Sequence, residues 1–433
     1  MPATYKESGF EWVGPIPSEW AMSKIHVDYS VKLGKMVESE QVSLASSLHP
    51  YLCAANIKWA GIDTSVQKEM YFTPAELRDN LVREGDALIT EGGSIGTTCI
   101  YHGEFGECGI QNSVLRARGM TETHTRFLYY WLTLVENSGY LDSICNRATI
   151  AHYTKEKVDR TPIVRIPDSE LCVVVRLLDE KTAKYDKAGE LLEEQIEALE
   201  GYRKSLIQEA VTKGLSLDAD MKPSGIDWIG DIPLGWSVRK TKHLASISSG
   251  STPDRNDFDY WDGDIPWLKT GELQNNVIIA AEEGITRKAL RDCSLRMYDV
   301  DTVLVAMYGQ GKTRGMTGLL GIPSTTNQAC AALIADRRLV IPKYLWLAFQ
   351  AAYDAIREEA QGSGQPNLSA DIIARFHIPL PPLGEQEIIV SYLLDKLPTV
   401  DRIIAGKRKQ LETLRTQRQS LIYEYVTGKR RVV

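Results

Sequence analysis

The chain has 433 residues, 43% hydrophobic, 25% charged and 8% aromatic, with a formal net charge of −7. These proportions exclude wholesale disorder and collagen-like or mucin-like repetition, and the length predicts two or three domains. An acidic balance argues against a general nucleic-acid coat, which is basic throughout, yet leaves room for local basic surfaces.

No apolar run approaches the roughly 20 residues of a membrane helix, and Met1-Pro2-Ala3-Thr4-Tyr5-Lys6 lacks the apolar stretch of a signal peptide. A soluble, cytoplasmic protein is expected. The seven cysteines, at 53, 99, 108, 145, 172, 293 and 330, form no C-x-x-C pair, so neither a disulfide framework nor a bound metal is expected.

Self-similarity organises the rest. Ser8-Gly9-Phe10-Glu11-Trp12-Val13-Gly14-Pro15-Ile16-Pro17, followed by Trp20, returns 216 residues later as Ser224-Gly225-Ile226-Asp227-Trp228-Ile229-Gly230-Asp231-Ile232-Pro233, followed by Trp236. At the same shift Gly93 lies over Gly309, Thr97 over Thr313, and Gln111-Asn112 over Asn327-Gln328. Leu177-Leu178-Asp179 lies over Leu393-Leu394-Asp395; then, with one residue lost, Arg203-Lys204-Ser205-Leu206-Ile207 lies over Arg418-Gln419-Ser420-Leu421-Ile422. The chain is therefore two copies of one unit, each a globular head followed by a helix.

In chain order, the first head reads as mixed α/β: 86–90 as a strand and 126–134 as a helix. In the first tail, Leu178, Tyr185, Leu192, Leu199 and Leu206 recur every seven positions from Leu171, with Val175, Thr182, Ile196 and Ala210 as a companion stripe. This predicts a heptad helix over 169–213, roughly 65 Å long. The second head predicts a strand over 301–306 and a helix over 343–356. Its tail repeats the seam through Leu393, Val400, Leu414 and Leu421, with Leu397, Ile404, Leu411 and Tyr425 beside it, and Pro398 predicts a kink or a late start. The expected order is a first recognition head over 1–168, a spacer helix over 169–215, a second head over 216–384 and a second spacer helix over 385–433.

Each stripe must be buried, and packing the two helices together as an antiparallel coiled coil within the chain is the economical solution. That would place a head at each end; homodimerisation through the helices is the other way to cover the stripes. The basic C-terminal run, Lys407-Arg408-Lys409 through Arg415, Arg418, Lys429, Arg430 and Arg431, reads either as a solvated face or as a contact for phosphates or an acidic partner.

Two similar heads held a fixed distance apart suit duplex DNA with two separated half-sites. Gly-rich turns after the predicted strands let backbone approach a phosphate or base edge, while hydroxyl, amide and cationic groups supply donors. The candidate DNA-binding residues of the first head are Gly93, Ser94, Thr97, Thr98, Gln111, Asn112, Arg147 and His152. Those of the second are Gln310, Lys312, Thr313, Arg314, Asn327, Gln328, Ser363, Gln365 and Asn367. Trp12, Trp20, Trp228 and Trp236, in the same setting in both copies, read as packing anchors and not as base-stacking platforms. Gly311-Lys312-Thr313 imitates a phosphate-binding P-loop, but Ala306 stands where its first Gly is required, and no metalloprotease, deaminase or hydrolase motif is present. A non-catalytic chain is expected.

The Ser-Gly-[Phe/Ile]-[Glu/Asp]-Trp-[Val/Ile]-Gly-x-Ile-Pro-x-x-Trp opening of both halves resembles the DNA specificity subunit of type I restriction-modification systems. So do Ile378-Pro379-Leu380-Pro381-Pro382-Leu383-Gly384-Glu385-Gln386 before the second helix and Leu178-Asp179-Glu180-Lys181-Thr182 in the first. The resemblance spans nearly the whole chain. It implies that the heads are target recognition domains reading a bipartite sequence and that the helices are the spacer. It further implies two partner methyltransferase subunits, which bind S-adenosylmethionine and methylate adenine N6, and restriction subunits that use ATP and magnesium, with no cofactor on this chain. The first half departs from the pattern, with Arg165-Ile166-Pro167-Asp168-Ser169 before its helix. The competing readings are a coiled-coil scaffold joining two protein ligands and an NTP-dependent enzyme resting on Lys312. Adding one heptad to both helices lengthens them by roughly 10 Å, close to three base pairs; methylation mapping should then show a correspondingly wider gap in the target, and an unchanged gap would overturn the ruler.

Overall fold

The computed structural model describes residues 4–41, 43–145, 151–216, 218–309, 311–361 and 367–432. The chain divides into two units, Met1–Glu193 with Lys409–Val433, and Glu194–Arg408.

In the first unit an antiparallel sheet runs in the order Thr98–Ile100, Ala87–Thr90, Val114–Gly119, Tyr29–Leu33. The helix Glu122–Asn137, capped by the Thr121 side chain, buries Phe127, Leu128, Trp131, Leu132 and Val135 in the same core as the inner strand residues. A smaller sheet orders Gly109–Ile110, Ser47–Leu52 and Glu69–Phe72. The second unit repeats the plan with five strands: Ala245–Ser249, Cys330–Ala335, Val303–Ala306, Thr317–Leu320 and Asn276–Ile278, the last parallel to its neighbour. The strands expected at 86–90 and 301–306 are present, and 126–134 lies inside a longer helix. The single helix expected over 343–356 is two, Pro342–Ala351 and Tyr353–Gln361, broken at Ala352.

The repeated opening motif folds the same way twice. The Ser8 and Ser224 hydroxyls accept from the amides of Phe10 and Ile226, at 3.2 and 3.1 Å. Gly14 and Gly230 donate back to the carbonyls of Phe10 and Ile226, each at 2.9 Å, with φ of +68° and +67°. That left-handed backbone is why glycine stands there in both copies. Trp20 and Trp236 are buried, and each indole N–H donates at 2.8 Å to a carboxylate in the first turn of a long helix, Glu170 and Glu385.

These pairs also correct the register. Trp20 and Trp236 are 216 apart, whereas Glu170 and Glu385 are 215 apart. The change already holds at the preceding strands, where Ile163 pairs Ser23 and Ile378 pairs Arg239. Fully buried Leu178 therefore matches fully buried Leu393, one residue away from the overlay read from sequence.

The long helices run Asp168–Lys213 and Leu383–Val426. The second does not start late: it continues through Pro398, whose ring is exposed, so the carbonyl that loses its amide partner lies on the outer face. The helices pack antiparallel, with numbers rising on one as they fall on the other. In the first unit Asp186 pairs with Arg418 and Glu193 with Arg415; in the second Glu200 pairs with Arg408 and Arg203 with Asp401. Burial follows the heptad seam. Tyr185, Leu192, Leu199, Leu206, Ile196, Leu411 and Leu414 are half-buried among exposed neighbours, and Leu178, Leu393, Val400 and Leu421 are buried.

Each core is completed by a helix end. Leu421, Ile422, Tyr425 and Val426 join the core of the first unit, and Ile207, Ala210 and Val211 that of the second. The basic C-terminal run is largely used internally: besides the pairs above, Lys429 donates to the Val13 carbonyl at 2.6 Å, and Arg431 pairs with Glu19 and Glu170.

Gln386 is fully buried, accepting from the Ile341 amide at 2.8 Å and donating to the carbonyls of Leu339 and Pro381 at 3.1 and 2.9 Å. Its match in the first half is Leu171. Gln386→Leu leaves buried polar groups unpaired, and urea titration should show the second unit destabilised by about 2–3 kcal/mol. Glu170→Ala strands the Trp20 N–H, and the same titration should show a loss of about 1–3 kcal/mol in the first unit.

Candidate nucleic-acid interface

In the first unit the strand Ala87–Thr90 ends in a turn held by its own backbone. The Gly96 amide donates to the Thr90 carbonyl at 3.0 Å and the Thr90 amide to the Thr97 carbonyl at 2.9 Å. Gly93 and Gly96 have φ of +76° and +79°, and a Cβ on Gly96 would stand 2.6 Å from Leu141 Cδ1. Gly93 and Ser94 are exposed at the tip, whereas Thr97 and Thr98 turn inward, the Thr98 hydroxyl donating to the Gly96 carbonyl at 2.9 Å.

A second candidate segment joins this tip. The Tyr153 amide donates to the Glu91 carbonyl at 2.7 Å, and exposed His152 places its ring 3.3 Å from where a Cβ on Gly92 would be. Lys157 Nζ holds the His152 carbonyl at 2.8 Å. Arg147 lies outside the described residues. Gln111 and Asn112, both half-buried, form a corner: their amides donate to the carbonyls of Leu52 and Lys35, and Gln111 Nε2 donates to Asn112 Oδ1 at 2.8 Å. Near them Lys35 is a half-buried cation between Glu38 and Glu76; desolvation opposes its charge, but hydrogen bonds to both carboxylates outweigh that and raise its pKa.

The second unit repeats the plan with different side chains. The Leu368 amide donates to the Met307 carbonyl at 3.0 Å, and the Asn327 amide to the Leu268 carbonyl at 2.9 Å, matching the first-unit bonds to Glu91 and Leu52. Lys312 and Asn367 are exposed, as is Gln328, which accepts from the Thr252 hydroxyl. Thr313 is half-buried and Arg314 buried, while Asn327 Oδ1 is taken up by the Ala329 amide at 3.1 Å. Gln310, Ser363 and Gln365 lie outside the described residues. The strand Thr317–Leu320 follows the Lys312 turn, where a P-loop requires a helix.

Two features escaped the sequence reading. Arg255 sits over the rings of Trp261 and Trp267, 3.8 and 4.9 Å from their centroids, and pairs with Glu283. Hydrogen bonds from Arg255 and then Lys269 hold the Glu283 carboxyl below its ordinary value. Tyr353 and Arg357 bind the 311–315 backbone from a helix some 40 residues along the chain. Neither residue belongs to a motif, so only the fold could bring them there. Among the described residues no group of three or more His, Cys, Asp or Glu could hold a metal, and no helix is long and apolar enough to cross a membrane. All seven cysteines are free, and burial pushes the Cys99 thiol up to about 12.

Residues 233–413 match the type I restriction modification DNA specificity domain family. Over 194 residues the chain is 33% identical to the specificity subunit of type I restriction enzyme MjaIX from Methanocaldococcus jannaschii, a match covering 43% of this chain and 42% of that relative. It is 23% identical over 442 residues to the MjaVIII specificity subunit of the same organism, covering 99% of this chain and 97% of that one. A solved chain, from work on complex assembly and conformational transition of the type I R-M system, superposes with a TM-score of 0.67 at 15% identity, covering 96% of this chain and 99% of its own. The two-unit fold with paired long helices is shared with that chain. Over nearly its whole length the chain is thus similar to DNA specificity subunits of type I restriction-modification systems.

Proposed function

We propose that each head of this subunit reads one half of a bipartite DNA sequence and that the helix pair sets the gap between the halves. In the assembled complex two methyltransferase subunits carrying S-adenosylmethionine would then modify adenine N6 at the chosen sites, and ATP-dependent restriction subunits would act on unmodified DNA. The supporting observation is the contrast between frame and tip. The same backbone bonds hold the turns in both units, yet the exposed groups differ: Ser94 and His152 in one, Lys312, Gln328 and Asn367 in the other. A shared frame with unlike donors suits two different half-sites. Thr97, Thr98 and Arg314, being turned inward, would act by shaping the tips.

Genome-wide N6-methyladenine mapping with and without the gene should show one two-part motif disappear. Lys312→Ala in the complex should weaken binding of duplexes carrying that motif and reduce the slope of log affinity against log salt by about 1. Ser94→Ala should alter discrimination only in the half-site that Lys312→Ala leaves intact. Partner binding indifferent to DNA and to salt would instead establish the scaffold.

A further inference from the structure

Arg357 engages three acceptors at once. Its Nη1 donates to the Arg314 carbonyl at 2.8 Å and to the Tyr353 hydroxyl at 3.0 Å, and its Nη2 donates to the Gly311 carbonyl at 3.0 Å. The Tyr353 hydroxyl in turn donates to the Lys312 carbonyl at 2.6 Å, and its ring centroid lies 5.0 Å from the guanidinium. Three carbonyls of one short turn are thus drawn to one helix, Tyr353–Gln361. Among the described residues Arg357 has no carboxylate partner, so its directed donors serve the turn. The turn needs such a hold: Gly309, Gly311 and Gly315 all have positive φ, and a glycine-rich segment has much freedom to lose on ordering. Gly315 also leaves space for the clamp, since a Cβ there would stand 3.3 Å from Arg357 Cγ and 3.5 Å from Tyr353 Cδ2.

We propose that Arg357 is a positioning residue for the second head: without touching DNA it fixes the 311–315 backbone, aims Lys312, and so sets discrimination at the second half-site. This rests on the reading of the heads as DNA-reading modules. The planar fork is essential, because one ammonium cannot span carbonyls on both sides of the turn, so lysine should not substitute.

The test uses the full complex with its methyltransferase and duplexes bearing the motif found by methylation mapping, intact or altered in one half at a time. Arg357→Ala and Arg357→Lys should each reduce discrimination at the second half-site by about tenfold. Discrimination at the first half-site, binding to duplexes with the second half scrambled, and the urea midpoint should stay unchanged. Tyr353→Phe should produce a smaller loss of the same kind. If Lys312→Ala lowers discrimination and Arg357→Ala does not, positioning is overturned while the reading of the heads stands. Equal losses at both half-sites, with a lowered urea midpoint, would make Arg357 a merely structural residue and also overturn it. If Lys312→Ala, Ser94→Ala and Arg357→Ala all leave both half-sites untouched, the reading of the heads itself fails.

Discussion

A buried indole donating to a carboxylate at the start of a long helix is the joint on which each unit is built. Trp20 and Trp236 reach Glu170 and Glu385 at the same distance, in first turns where the helix dipole favours negative charge. A third segment closes on the same ring. A Cβ on Gly428 would stand 2.8 Å from Trp20, and one on Gly214 3.2 Å from Trp236, so the end of one long helix can approach only because glycine ends it. Frame turn, helix start and helix end thus meet at one side chain, twice. The tryptophans repeat for that reason and not for stacking on bases.

The copies have diverged around this joint. Buried Gln386 satisfies three backbone groups where the first half has Leu171, so the stretch before the second helix is held by hydrogen bonds and its counterpart by apolar contact. The helix pair has changed too. Arg418 with Asp186 and Arg203 with Asp401 keep their charges, whereas Glu193 with Arg415 and Glu200 with Arg408 exchange them between the helices. Arg203 and Arg418 occupy seam positions, where a charged group specifies register at a cost in packing. Leucine alone would allow the helices to slide by a heptad.

Much of the fold was legible because it is periodic. A seven-residue stripe and a 216-residue repeat are visible without knowing any contact. Inference from sequence failed where a contact is non-local or a single residue shifts the register. The missing residue was placed inside the helices, because the two adjacent leucines at 177–178 and 393–394 permit two overlays and only burial distinguishes them. Glycine-rich composition located the turns at 91–98 and 308–315 but could not say which side chains face out, so inward Thr98 and Arg314 were grouped with exposed Ser94 and Lys312. The Arg357 clamp was invisible, since nothing local ties residue 357 to residue 311.

The backbone bonds that fence the turns have an evolutionary consequence. Leu52 to Gln111 and Glu91 to Tyr153 in one unit, and Leu268 to Asn327 and Met307 to Leu368 in the other, use only main-chain atoms. They are indifferent to which side chains lie between. The tips have therefore been free to diverge, to Ser94 in one copy and Lys312 in the other, while the bonds that hold them stayed the same.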